Sequence, residues 1–359
     1  MLTLTGSTHS LAVDSDGCVW GSGANSNAQL GLKDFLNRRG FTKQKTLPPI
    51  AMVSCGVHHS LFLDESGAVW GCGKNDKHQL ATLVPQNENE IKGETVLLPC
   101  LLENLPKIQQ IACGAFHSLF LDEEGSVWGC GSNEFHQVNA SQNARIAYPT
   151  KIPQLPRIIA ISCGSAHSLL MDEEGGAWIS GNKGPQKVSN LPPIKMICSG
   201  YEFMLLVDDN DQVWRISTIG SFAPEKLNLP NPVISMACGQ SHCLFLDSQF
   251  QVYASGKNDH GQLGFGDLVR RHDPQLITSL PQILAISCGA NHSMFVENEN
   301  TIWACGDDSQ GQLGTGKAKK LVIKKSSNVG TPEIIPFANL RIVDLISRET
   351  RPQKSARNL

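Results

Sequence analysis

The sequence predicts an all-β protein, a seven-bladed propeller built from four-stranded antiparallel blades, on three observations. The string CGAFHSLFLDEEGSVWGCG at 113–131 returns, with substitutions, at 55–73, 163–181, 238–256 and 288–306, with a truncated copy from Gly6 and a worn one at 199–217. One slot of the motif holds His9, His59, His117, His167, Phe203, His242 and His292, at intervals of 50, 58, 50, 36, 39 and 50 residues. Each copy, about 51 residues on average, is cut into short apolar runs by Gly, Pro, Asp and Asn, the mark of strands joined by tight turns.

Within a unit the elements follow in a fixed order. An apolar run ending in Cys-Gly comes first, as in Ile108–Gly114, and reads as the first strand. The second, His117–Asp122, is apolar nearly throughout rather than alternating, so both of its faces are expected to be covered by neighbouring blades. An acidic-Gly hairpin at 123–125 leads to a third run, Ser126–Gly131. A polar loop then recurs as GANSNAQLG, GKNDKHQLA, GSNEFHQVN, GKNDHGQLG and GDDSQGQLG, its Gln expected to bond backbone within the turn and its Leu to tuck under the blade edge. A Pro-flanked fourth segment such as Tyr148–Ile152 closes the unit. Units four and five lack the loop, which accounts for the short intervals, whereas unit two carries a polar excursion at 83–98 and unit seven a basic loop at 317–330.

The ends imply closure. Thr331–Ile346 matches a fourth segment plus the start of another unit, and is expected to return and complete the N-terminal blade, so that no backbone edge is left open. A single propeller over 1–347 and a basic tail at 348–359 follow as the domain organisation.

Composition narrows the class further. At 359 residues a single ordinary core would be oversized, but radial repetition lets each unit pack only on its neighbours. The chain is 40% hydrophobic and 18% charged with a net charge of −3, so no overall field draws it to nucleic acid or an anionic membrane. The start has no signal-peptide pattern and no apolar run approaches a membrane span; the expectation is a soluble, monomeric cytoplasmic or nuclear protein, or a bacterial effector acting in a host cytosol. Of twelve cysteines, Cys55, Cys113, Cys163, Cys198, Cys238 and Cys288 are placed in one repeat slot, in separate units, and read as free, small, buried hydrophobes.

The CGxxHSLxLDxxGxVWGxGxNxxxQLG pattern, from Gly6 to Ile346, resembles the repeat of the regulator of chromosome condensation family. That resemblance implies a seven-bladed propeller. The family's founder is a guanine-nucleotide exchange factor for the small GTPase Ran that also docks on chromatin; other members are interaction modules in larger proteins. It implies a partner, a small Ras-like GTPase, held on the face that carries the Gly-x-x-His turns. By the same resemblance the partner-binding residues are His242, His292, His59 and His117 in the slot and His58, Phe116, Glu202 and Asn291 beside it. Glu202 is the one acidic residue in these turns. A scaffold that binds another protein or chromatin without acting on nucleotide is the alternative.

Other chemistries are poorly served. Each Cys-Gly-x-x-His copy offers two ligands where zinc needs about four, so no metal and no cofactor are expected. No GxSxG, HExxH or GxxxxGK[ST] occurs, which leaves no hydrolase or transferase site and only nucleotide exchange as an activity. The paired acids Glu123-Glu124, Glu173-Glu174 and Asp208-Asp209 read as solvated turns. Basic runs at 317–325 and 348–357 read as solvated segments before phosphate-contacting arms, since no aromatics are interleaved for base stacking.

Overall fold

In a computed structural model, the described residues are 6–81, 91–92, 94–181, 183–218, 223–298, 301–316 and 333–336. They form seven antiparallel sheets and no α-helix. Each sheet is a blade: among the described residues blade 1 has three strands and blades 3 to 7 have four, in sequence order from the axis outwards, while blade 2 carries a fifth strand outside its fourth. Blade 3, for example, runs Ile108–Cys113, His117–Asp122, Val127–Ser132, Arg145–Lys151.

The second strand of every blade is where the fold is made. His59–Asp64, His117–Asp122 and His242–Asp247 are buried at every position, as the unbroken apolar runs predict. Their large side chains fill the seams between blades. Phe120, fully buried, packs against Leu61, Leu63 and Leu80 of blade 2. Phe295 does the same for blades 6 and 7, and Ala12 with Met294 and Leu313 for blades 7 and 1. Burying one such ring is worth about 2–3 kcal/mol, so each seam has its own apolar core.

The hairpin beyond the second strand is locked by its acid. Asp122 Oδ1 accepts the backbone N–H groups of Glu124 (3.0 Å) and Ser126 (2.7 Å), and its Oδ2 accepts the Trp128 indole N–H at 2.9 Å. Asp14, Asp64, Asp172 and Asp208 hold Trp20, Trp70, Trp178 and Trp214 in the same way, and Glu297 holds Trp303. Asp208 is therefore a buried structural acid, 2% exposed, and not the solvated turn residue expected from the sequence. Glu123 and Glu173 do face solvent, where they pair with Lys107 and Arg157.

The recurrent polar loop behaves as expected. Gln79 Oε1 accepts the Lys77 N–H at 2.9 Å, and Leu80 is fully buried. The third-strand glycine admits that apolar side chain: a Cβ on Gly129 would stand 2.6 Å from Val138, the residue that replaces leucine in blade 3.

Two boundaries differ from the sequence reading. Thr95–Leu101 is the outer strand of blade 2, with Ile91–Lys92 paired outside it as a fifth, so the excursion is shorter than 83–98. Cys198 does not share the cysteine slot: it pairs with Leu205 as Ser54 pairs with Leu61, and Ser199 occupies the slot instead. At the C-terminus, Glu333–Pro336 pairs with Thr301–Gly306 and supplies the fourth strand of blade 7. Of the stretch Thr331–Ile346, expected to return to the first blade, only 333–336 is described; the rest of it, the basic run at 317–325 and the tail at 348–359 lie outside the described residues. Blades 7 and 1 nonetheless meet directly, through the Ala290 N–H on the Ser7 carbonyl (3.0 Å) and a bridge between Gly40 and Thr315.

Candidate functional site

Strand direction sorts the connections onto two faces. The turns between first and second strands, with the Gly-x-x-His residues, share one face with the loops between third and fourth strands. The acidic hairpins lie on the other.

At the axis the turns are joined into a collar by backbone bonds. Ala115 N–H reaches the Ser165 carbonyl at 3.3 Å, Tyr201 N–H the Gly239 carbonyl at 3.2 Å and Gln240 N–H the Ala290 carbonyl at 3.0 Å. Tyr201 also spans from blade 5 to blade 1, its hydroxyl 3.0 Å from Ser7 Oγ.

Beneath the collar, the slot histidines staple one blade to the next. His59 Nε2 lies 3.1 Å from Ser118 Oγ, and that hydroxyl donates to the Gln79 carbonyl at 2.7 Å. A serine hydroxyl has one proton; once given to the carbonyl, the imidazole must donate through Nε2–H. His9–Ser60, His117–Ser168, His242–Ser293 and His292–Ser10 repeat the arrangement at 2.9–3.0 Å. Burial holds His9, His59, His117 and His242 down to about 3 and His292 to about 4, so all five rings are neutral at pH 7. The motif glycine is required because the ring lies on it: a Cβ on Gly114 would stand 2.0 Å from His117 Cε1 and 2.8 Å from the Gly164 carbonyl of the next blade. Replacing Ser118 by Ala strands the His59 N–H, leaves the Gln79 carbonyl with only the weak Cys130 thiol donor (3.4 Å), and is expected to cost about 2 kcal/mol, read from the midpoint of urea unfolding.

The structure thus places His242, His292, His59 and His117 inside the seams, at most 2% exposed, where a partner resting on this face does not reach their rings. Of the other four residues, Phe116 is 37% exposed, Glu202 is open to solvent, and His58 and Asn291 are half-buried. Burial and the Lys74 ammonium lower His58 below its ordinary value. These four, in four different blades, are brought to one face, each in its own turn. Phe35, Leu36, Phe135, Leu268 and Val269 join them on the same face, exposed at the tips of the outer loops. Loop residues were missed in the sequence reading, although FL at 35–36 and LV at 268–269 interrupt polar loops and could have been noticed. Among the described residues, no group of three or more His, Cys, Asp or Glu stands close enough to hold a metal ion. No helix there is long and apolar enough to cross a membrane.

Comparison with known proteins agrees with this geometry. The regulator of chromosome condensation (RCC1) repeat model matches residues 16–63, 66–121, 124–171 and 251–296, more than half of the chain. The human protein described as probable E3 ubiquitin-protein ligase HERC6 is 26% identical over 189 residues, covering 48% of this chain and 15% of its own. An RCC1 domain-containing protein of Dictyostelium discoideum is 30% identical over 281 residues, covering 76% and 44%. The chain therefore spans less than half the length of either relative. Yeast RCC1 (Prp20) in its complex with Kap60 superposes with a TM-score of 0.79 at 20% identity, over 91% of this chain and 85% of that one. A second structure of Prp20p from Saccharomyces cerevisiae, described with its binding to Gsp1p and histones, gives 0.76 at 20% identity, over 91% and 87%. With seven blades, the recurring seam chemistry and a repeat match over most of those blades, the chain belongs to the regulator of chromosome condensation (RCC1) repeat family.

Proposed function

We propose that this protein is an interaction propeller whose collar face docks a small Ras-like GTPase of the Ran type and weakens its hold on guanine nucleotide. The observation that carries the reading is the gathering of Phe116, His58, Glu202 and Asn291 with five exposed apolar loop residues on one face of a rigid ring. Exposed apolar residues clustered on one side of a soluble protein mark a docking surface. Family membership supports the choice of partner, as does the structural likeness to Prp20p, a protein described with its binding to Gsp1p. Nucleotide exchange needs no nucleophile: a partner that prefers the nucleotide-free GTPase must lower nucleotide affinity by the same factor. The slot histidines act in this reading by fixing the turns that bear the contact residues. A nuclear or cytoplasmic setting follows, since that is where such a GTPase is met.

Adding the protein to Ran loaded with fluorescent GDP is expected to accelerate release of the label. Phe116→Asp, which puts a charge in the centre of the contact, is expected to reduce that acceleration at least about tenfold. One feature favours a second reading, a scaffold that binds protein or chromatin and leaves nucleotide alone: Glu202 is the single acid among the collar residues. Binding to the GTPase with no change in release would establish that reading, and absence of binding would remove the GTPase from both.

A further inference from the structure

Blade 5 breaks the pattern of staples. It carries Phe203 and Met204 where most blades carry histidine and serine, and its neighbour, blade 6, carries Cys243 in the serine position, so the seam between blades 5 and 6 has neither half of the staple. Cys243 turns instead to Ser255 Oγ of its own blade, at 3.0 Å.

Nearer the axis the same seam holds a thiol pair. The residue before the cysteine slot reaches across to the following blade: Ser54 Oγ accepts the Cys113 N–H, and Ser162 Oγ the Ser199 N–H, each at 2.9 Å. The cysteine-slot side chain leans the opposite way, Cys163 Sγ lying 3.6 Å from the Ala112 carbonyl of the preceding blade. In blade 5 the reaching residue is Cys198, and the residue it reaches in blade 6 is Cys238. Strand register, read with the contacts of the equivalent residues in the other blades, therefore turns the two thiols towards each other across the seam. Ser54 faces Cys113, Ala112 faces Cys163, Ser162 faces Ser199 and Ala237 faces Cys288, so among the described seams this one alone presents sulfur from both sides.

We infer that Cys198 and Cys238 are a modification site, oxidised by a hydroperoxide to a disulfide that joins blades 5 and 6. The Cys198 thiolate attacks the peroxide's terminal oxygen, the O–O bond breaks, the alcohol or water leaves with a proton, and a sulfenic acid remains on Cys198. The Cys238 sulfur then displaces that hydroxyl as water and the S–S bond forms. Two thiols give up two electrons to one O–O bond and both protons leave in the products. The disulfide stands where two residues of the non-covalent staple are missing, and closes the ring at that seam by a bond that reduction reverses.

The test uses the full chain, reduced, freed of reductant and treated with a few equivalents of hydrogen peroxide. Expected are a loss of about 2 Da in intact mass, a cross-linked peptide pairing Cys198 with Cys238, and a Tm higher by about 5 °C that dithiothreitol reverses. Cys198→Ser, which restores the residue that Ser54, Ser162 and Ser287 supply in other blades, is expected to fold normally and to lose the cross-link and the shift together. Oxidation that leaves both cysteines open to alkylation, a link from either one to Cys243 or Cys288, or an undiminished Tm shift in Cys198→Ser would each overturn the assignment.

Discussion

Acidification from pH 7 to pH 5 is expected to unfold the protein, with a midpoint above the range in which its carboxylates titrate. Six histidines are buried and held low, His9, His59, His117 and His242 to about 3, and His167 and His292 to about 4. Desolvation is the first cause in each, and in the five stapled rings Nδ1 is buried with no protein acceptor for an added proton. In the unfolded chain the same groups titrate near 6.5. The folded values are the lower ones, so the stabilisation is complete above pH 6.5 and is lost as pH falls towards 4 and 3, while the unfolded state takes up protons that the native state refuses. At pH 5 the loss is about 2 kcal/mol per histidine, and six together come to about 12 kcal/mol, as large as the whole stability of an ordinary domain. Asp64 and Asp172 are held below the usual carboxylate range by hydrogen bonds to their turns and to tryptophan, acting against desolvation; their contribution disappears only at still lower pH. Circular dichroism and tryptophan fluorescence followed from pH 7.5 to 4 should show one steep transition between pH 5 and 6. A native spectrum at pH 4.5 would contradict the buried, neutral staples.

Removing the acid of one hairpin lock should be the most damaging single substitution away from the seams. Asp122→Ala strands three donors at once, the Glu124 and Ser126 backbone N–H groups and the Trp128 indole N–H. Bonds to a charged acceptor are worth about 1.5–3 kcal/mol each, and water will rescue part of the exposed turn, so a loss of about 4 kcal/mol is expected. Chemical denaturation measures it, and Asp122→Asn, which keeps one acceptor oxygen for the two backbone N–H groups but none for the indole, should recover part of the loss.

Much of the fold could be read from the chain, because repetition turns one strand pattern into seven. The unbroken apolar runs at 59–64 and 117–122 announced strands covered on both sides, and the QLG leucines announced their own burial. The candidate site was harder. Whether a histidine such as His242 faces a partner or the neighbouring blade depends on what lies opposite it, and that is Ser293, 51 positions away. Two constants of the repeat, His and the Ser that follows it, mate across units rather than within one, which a motif aligned to itself does not display. The same blindness misplaced Cys198, since Ile-Cys-Ser-Gly looks like Ser-Cys-Gly until strand pairing shows the offset of one. Asp208 was misread because a hairpin acid and a surface acid are alike in sequence and differ only in whether an indole lies within reach.

The division of connections between the two faces has a consequence for how this molecule can diversify. On the hairpin side, the turns of blades 1 to 5 are each pinned by an aspartate that counts residues two and four positions on, so one insertion there would unseat a tryptophan. On the collar side, the third-to-fourth-strand connections differ widely in length from blade to blade, from Gly131–Arg145 in blade 3 to the five residues between Ser180 and Gln186 in blade 4, and the ladder is kept in both. New specificity can therefore be grafted on one side only, while the other stays a fixed chassis.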